Sequence, residues 1–238
     1  MRIGAAVRRG LAAGVLAGLV AGLLALAIGE PPVEAAIRLE DAAVTVARTG
    51  PPEFQVTRSA QRVGLVVGTA LAGLAVGALF GVASAWAVGR VKGTGWARSL
   101  KLGATAVGVL VLLPALKYPP NPPAVGDPAT IDRRTTLYLG LALIGLLLAL
   151  AAWAAARQLA ASRLPAPARQ TLVGAGVVVA ATLFLIALPS TGGEEITVPA
   201  DLLWSFRLAS IATQATLYGG TALVFGLLAT RHERGPTT

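Results

Sequence analysis

The sequence predicts an all-α integral membrane protein: a six-helix transmembrane bundle with an outer-surface amphipathic helix and a proline-rich outer loop. Three observations carry that prediction. Six apolar runs approach or exceed the roughly 20 helical residues needed to cross a hydrocarbon core of about 30 Å. The composition is 55% hydrophobic and only 13% charged, with a mean hydropathy of +0.72, where soluble domains carry about 25% charged residues. The charges also sort between alternate loops. With the N-terminus counted as inner, the inner ends and loops hold Arg2, Arg8, Arg9, Arg90, Lys92, Arg98, Lys101, Arg157, Arg163, Arg169, Arg231 and Arg234, with Glu233 as their one acid. All other acids fall on the outer side. Loop Lys/Arg set orientation, so both termini are expected in the cytoplasm.

The first run is Leu11–Ile28, behind Arg2, Arg8 and Arg9. It is longer than the roughly 7–15 residues of a signal-peptide core, and Glu30-Pro31-Pro32 follows it. A retained helix is expected. Gly10, Gly14, Gly18 and Gly22 recur every fourth residue; Gly64/Gly68 and Gly73/Gly77/Gly81 repeat the theme in the second run, Val63–Val88. Such small-residue faces let membrane helices approach closely, so these two helices should pack tightly. Between them, residues 31–48 show helical periodicity. Glu34, Arg38, Asp41, Thr45 and Arg48 share one arc, with Val33, Ala36, Ile37, Ala43, Val44 and Ala47 opposite. That pattern predicts an amphipathic helix on the outer surface. Glu40 falls in the apolar arc, and either reaches out to water or pairs with a loop arginine, or else aims its carboxylate into the bundle.

The third run, Leu102–Leu116, is the shortest and contains Pro114. It leads into Lys117-Tyr118-Pro119-Pro120-Asn121-Pro122-Pro123-Ala124-Val125-Gly126-Asp127-Pro128. Prolines at that density exclude helix and predict a stiff extended strut, which serves either as a binding element or as a rigid cap. Thr135–Ala156, Thr171–Leu188 and Leu208–Ala229 complete a single transmembrane domain spanning 1–238. Trp86, Trp96 and Trp153 at inner ends, with Tyr118 and Trp204 at outer ends, form an aromatic belt.

Much chemistry is excluded. The chain has no cysteine, and its one histidine is His232 in the tail. Thiolate metal sites and Ser-His-Asp catalysis are therefore absent, and no GxxxxGK[ST] loop is present. Neither an enzyme nor a tightly bound cofactor is expected. The formal charge of +9 is accounted for by loops facing anionic headgroups of the lipid bilayer, with no nucleic acid required. Polar groups concentrate at the outer rim. Glu30, Glu40, Asn121, Asp127 and Asp132 offer oxygen ligands suited to a divalent cation. Lys117 and Tyr118 would anchor the strut at the interface, and Asp201 would cap a helix through Leu202. Arg207, about a turn and a half inside that helix, needs a partner, for which Asp132 and Glu30 are the candidates.

Four segments together resemble the CbtA family of cobalt transporter subunits. They are Arg8-Arg9-Gly10-Leu11, Gly29-Glu30-Pro31-Pro32-Val33-Glu34, the Lys117–Pro128 motif, and Pro199-Ala200-Asp201-Leu202-Leu203-Trp204-Ser205-Phe206-Arg207. The resemblance implies a bacterial inner-membrane protein that imports Co²⁺ in support of cobalamin synthesis. It also implies a CbtB-like partner, a small single-span protein bearing histidines. Histidines are frequent in the first outer loop of the family, whereas residues 29–62 here contain none. Cobalt favours nitrogen ligands, and a histidine-bearing partner would supply them. Two other readings stay open: a non-transporting scaffold or assembly partner, and a permease for an organic cobalamin-related solute with Arg207 and Arg133 as anion ligands.

Overall fold

Prolines shape two of the spans. In the computed structural model the first span runs as one helix from Ile3 to Ala42 through α1 (Ile3–Leu24), a π-helical stretch Ala25–Gly29 and α2 (Glu30–Val44). The widened turns come just before Pro31 and Pro32. A proline ring collides with the carbonyl four residues back and offers no N–H to it; widening the helix eases the collision. The third span repeats the device with α4 (Gly95–Ala106), a π-helical stretch Val107–Leu112 and α5 (Leu113–Lys117), ahead of Pro114. The remaining helices are α3 (Arg58–Ala87), α6 (Ile131–Leu159), α7 (Ala166–Ala187) and α8 (Ala200–Glu233). The structure describes residues 3–44, 56–123, 125–126, 128–190, 196 and 198–233. It is 86% helical, with no strand among the described residues, and six helices there are long and apolar enough to span a membrane.

Helix ends extend past the apolar runs, and three differences from the hydropathy reading bear on the site. The amphipathic segment is helical but continues directly from the first span, with Pro32 and Ala36 buried and Arg38, Glu40 and Asp41 exposed; residues 45–48 lie outside the described residues. The third span is not shortened at Lys101 but covers Gly95–Lys117, 23 residues. Lys101 is accommodated because its long stem carries the ammonium to the Lys92 carbonyl at 3.0 Å, away from the apolar zone. The last helix begins at Ala200, ahead of the apolar run Leu208–Ala229 and one residue before Asp201, the position expected to cap it.

The chain divides into two compact units. The first comprises Met1–Val107, Pro120–Val125 and Ile196–Thr238. Within it α1 and α3 meet backbone to backbone. A Cβ on Gly10 would overlap the Gly77 carbonyl, one on Gly14 the Gly73 carbonyl, and one on Gly81 would meet the Ala6 carbonyl at 2.6 Å. Gly64 and Gly68 do not join this seam, and nothing lies within 4 Å of a Cβ built on either. They stand nine residues from Gly73 and Gly77, two and a half turns, and so face the other way. Helix α8 closes the unit. Phe225 meets Phe80 edge-on at 5.3 Å, and Ser99 of α4 donates to the Ala222 carbonyl at 2.6 Å. Trp96 also packs here, against Gly226, rather than serving only in the belt.

The second unit comprises Gly108–Pro119 and Gly126–Glu195. Leu113, Tyr118 and Leu141 form its core, with Leu137, Leu185 and Leu188 around them. Tyr138 of α6 donates its hydroxyl to the Leu110 carbonyl at 3.0 Å. That oxygen lies four residues before Pro114, the position whose helical donor proline removes.

Candidate functional site

The charged and amide groups singled out in the sequence lie at or near helix ends, and the structure sorts them by unit. In the first unit, Glu30 opens α2 just past the π-helical stretch, its side chain only 13% exposed. Two arginines of α3 hold it: Arg58 at 2.8 Å and Arg62 at 3.0 Å. Arg62 also reaches Glu34 at 3.2 Å, and Glu34 meets Arg38 at 3.5 Å. Arg58 and Arg62 share a face of α3, as Glu30 and Glu34 share a face of α2, because residues four apart are helical neighbours. The spacing of four is a property of the sequence; which arginines face which acids is set by how α2 and α3 pack. Glu40 is exposed.

Arg207 sits on α8, half-buried, with its guanidinium turned to the proline segment. It donates to the Asn121 side-chain oxygen at 3.0 Å and to the Pro120 carbonyl at 3.4 Å, and lies 5.8 Å from the Trp204 ring centre. The expected pairing with Glu30 is not what forms, since Arg58 and Arg62 take that carboxylate. An amide and a carbonyl solvate Arg207 instead, in the manner of a partly buried cation. Beneath this contact, Val125, Val198 and Leu203 make a small apolar cluster that pins the segment to the start of α8. Asp201 is exposed in the first turn of α8, inside the helix rather than at its cap. There its charge complements the positive helix end.

In the second unit, Tyr118 is buried and donates to the Pro189 carbonyl at 2.8 Å. It is thus a packed anchor rather than a lipid-facing belt residue. Burial raises its pKa, and the nearby Arg133 pulls weakly the other way. Lys117 is half-buried beside it, and Asp132 is exposed in the first turn of α6. Gly126 has φ of +97°, and a Cβ there would strike the Arg134 guanidinium, so this turn of the proline motif requires glycine. Asp127 lies outside the described residues.

Among the described residues no group of three or more His, Cys, Asp or Glu is placed to hold a metal ion. Glu30 is neutralised by arginines and Asn121 is committed to Arg207. What is assembled is a set of ion pairs and cation–amide contacts fastening helix ends within the first unit.

The family model described as "Probable cobalt transporter subunit (CbtA)" matches residues 3–230. The chain belongs to the CbtA family. Among curated proteins and solved structures no match is found. The CbtA match runs through both units and all six spans, so this is a multi-pass membrane protein of a transporter-subunit family. The proline motif and the α8 entry around Arg207, which carried the resemblance, lie inside the matched region.

Proposed function

We propose that this chain is the membrane permease component of a system that imports a divalent cation, cobalt, for cobalamin synthesis. The observation that carries the reading is the CbtA match over residues 3–230. The charge distribution supports an inward direction: with inner loops basic and both termini cytoplasmic in a bacterial inner membrane, the acids face outward. A surface lined with one sign of charge raises the local concentration of its counter-ion.

In this reading Co²⁺ competes with Arg58 and Arg62 for Glu30, and Asp127 and Asp132 are further carboxylates offered to the ion. The Arg207–Asn121 contact holds that segment in register. The family's histidine-bearing single-span partner supplies the nitrogen ligands that this chain lacks outside its tail.

The test is radiolabelled Co²⁺ uptake by transport-deficient cells expressing the chain alone, or with such a partner. Glu30→Gln and Asp127→Asn are measured beside the parent at matched membrane levels. Loss of uptake in both, with folded protein retained, is expected; unchanged uptake in both sinks this entry site.

A second reading is favoured by the absence, among the described residues, of any metal-ligand group and by the locked α1–α3 pair. It makes the chain a rigid scaffold for a partner that conducts. The scaffold gives no Co²⁺ flux in proteoliposomes by itself and co-purifies with that partner.

A further inference from the structure

Helices α6 and α7 form a hairpin whose facing small residues leave a gap. Ala151, Ala152 and Ala155 of α6 and Leu172, Val173 and Gly176 of α7 line an open apolar groove of about 250 Å³. The contrast with α1 and α3 is direct. There a Cβ on a seam glycine would collide with the neighbouring helix, whereas nothing lies within 4 Å of a Cβ on Gly174 or Gly176. No residue of α7 is buried. In a bilayer, an apolar groove of this kind is not filled by water, which needs polar partners.

One end of the groove is strongly basic. Arg169 precedes Leu172 and Val173 by three and four residues, so it continues the groove face of α7 by one turn. It donates to the Ala160 carbonyl at 3.2 Å, which holds it at the foot of α6 while leaving guanidinium donors free for another acceptor. Arg163 is exposed in the connecting turn, and Arg157 lies over the Trp153 ring at 4.9 Å. The sequence contains no acid between Asp132 and Glu194.

We propose that this hairpin binds one anionic phospholipid, with an acyl chain in the groove and the headgroup phosphate on Arg169 and Arg163. A partner's apolar helix would fill the groove but make no use of the arginines at its foot. The charge complementarity selects the lipid.

The test is native mass spectrometry of the full chain in detergent, titrated with phosphatidylglycerol or phosphatidylcholine of identical acyl chains. Preferential retention of phosphatidylglycerol is expected. Replacing Arg163 and Arg169 together by Gln lowers it, by about fivefold for each charge near a membrane surface. Gly176→Leu, or Ala152→Leu where the first fails to fold, fills the groove and abolishes retention with helicity unchanged by circular dichroism. Arg90→Gln with Lys92→Gln, on another basic loop, leaves retention as it was. Equal retention of both lipids overturns the site. So does equal loss in the Arg90/Lys92 variant, or a co-purifying protein helix that Gly176→Leu displaces.

Discussion

The Tyr138 hydroxyl donates at 3.0 Å to the carbonyl of Leu110, the oxygen from which Pro114 withholds a helical donor. One side chain of α6 thereby repairs a backbone defect in the neighbouring helix. In hydrocarbon an unsatisfied carbonyl costs several kcal/mol, so the pairing explains how a proline is tolerated inside a span. Tyr138→Phe is expected to destabilise the protein by about 1–3 kcal/mol, the cost of leaving a buried acceptor without its donor. In a Pro114→Ala background the same change should cost much less, because alanine in place of the proline restores an N–H to the Leu110 carbonyl. Denaturant unfolding of the four-member cycle measures the coupling, and additive effects would refute the relationship.

Gly14→Ala should disrupt the α1–α3 pair, because its Cβ overlaps the Gly73 carbonyl. Overpacking typically costs about 1–3 kcal/mol, and backbone on both sides leaves little room to yield. Gly64→Ala, facing open space, should be neutral. Comparing the melting temperatures of the two variants checks this, and equal shifts would remove the seam from the account.

Glu30→Gln should loosen the contact between the starts of α2 and α3, since it removes the charge shared by Arg58 and Arg62. Both arginines are about a third or more exposed, which screens the pairs, so the expected loss is near 1 kcal/mol. A double-mutant cycle with Arg58→Gln isolates the pair. Zero coupling would show that the two groups act independently.

Arg207→Ala should free the proline segment, because the Asn121 and Pro120 contacts both end on that guanidinium. Backbone hydrogen exchange at Asn121 and Val125 should quicken about tenfold, the equivalent of 1.4 kcal/mol of lost local stability. Arg207→Lys should fall between, since an ammonium lacks the planar fork. No change in exchange would mean that the Val125–Leu203 apolar contact alone holds the segment.

Tyr118 sets a pH dependence. Burial raises its folded pKa above the ordinary value of 10.0. The fold therefore favours the neutral phenol, and that stability is fully present below pH 10 and lost as pH rises through the raised pKa. The donor to Pro189 disappears over the same interval. Unfolding measured from pH 9 upward should fall less steeply for Tyr118→Phe than for the parent, and identical slopes would contradict the assignment.

The sequence by itself determined what can be summed locally along the chain. Six spans, the proline-dense segment and the glycine face of α1 were all legible, because hydropathy, proline geometry and a period of four are properties of neighbouring residues. The span end at Gly95 was not, since Lys101 reaches the Lys92 carbonyl. Hydropathy counts that lysine simply as a charge. Only the tertiary structure decided which glycines engage, giving Gly73, Gly77 and Gly81 a partner and leaving Gly64 and Gly68 without one. It likewise gave Glu30 to Arg58 and Arg62, Asn121 to Arg207, and the Leu110 carbonyl to Tyr138. Those pairings depend on the register and rotation of helices far apart in the chain, which a local pattern leaves free and close packing fixes.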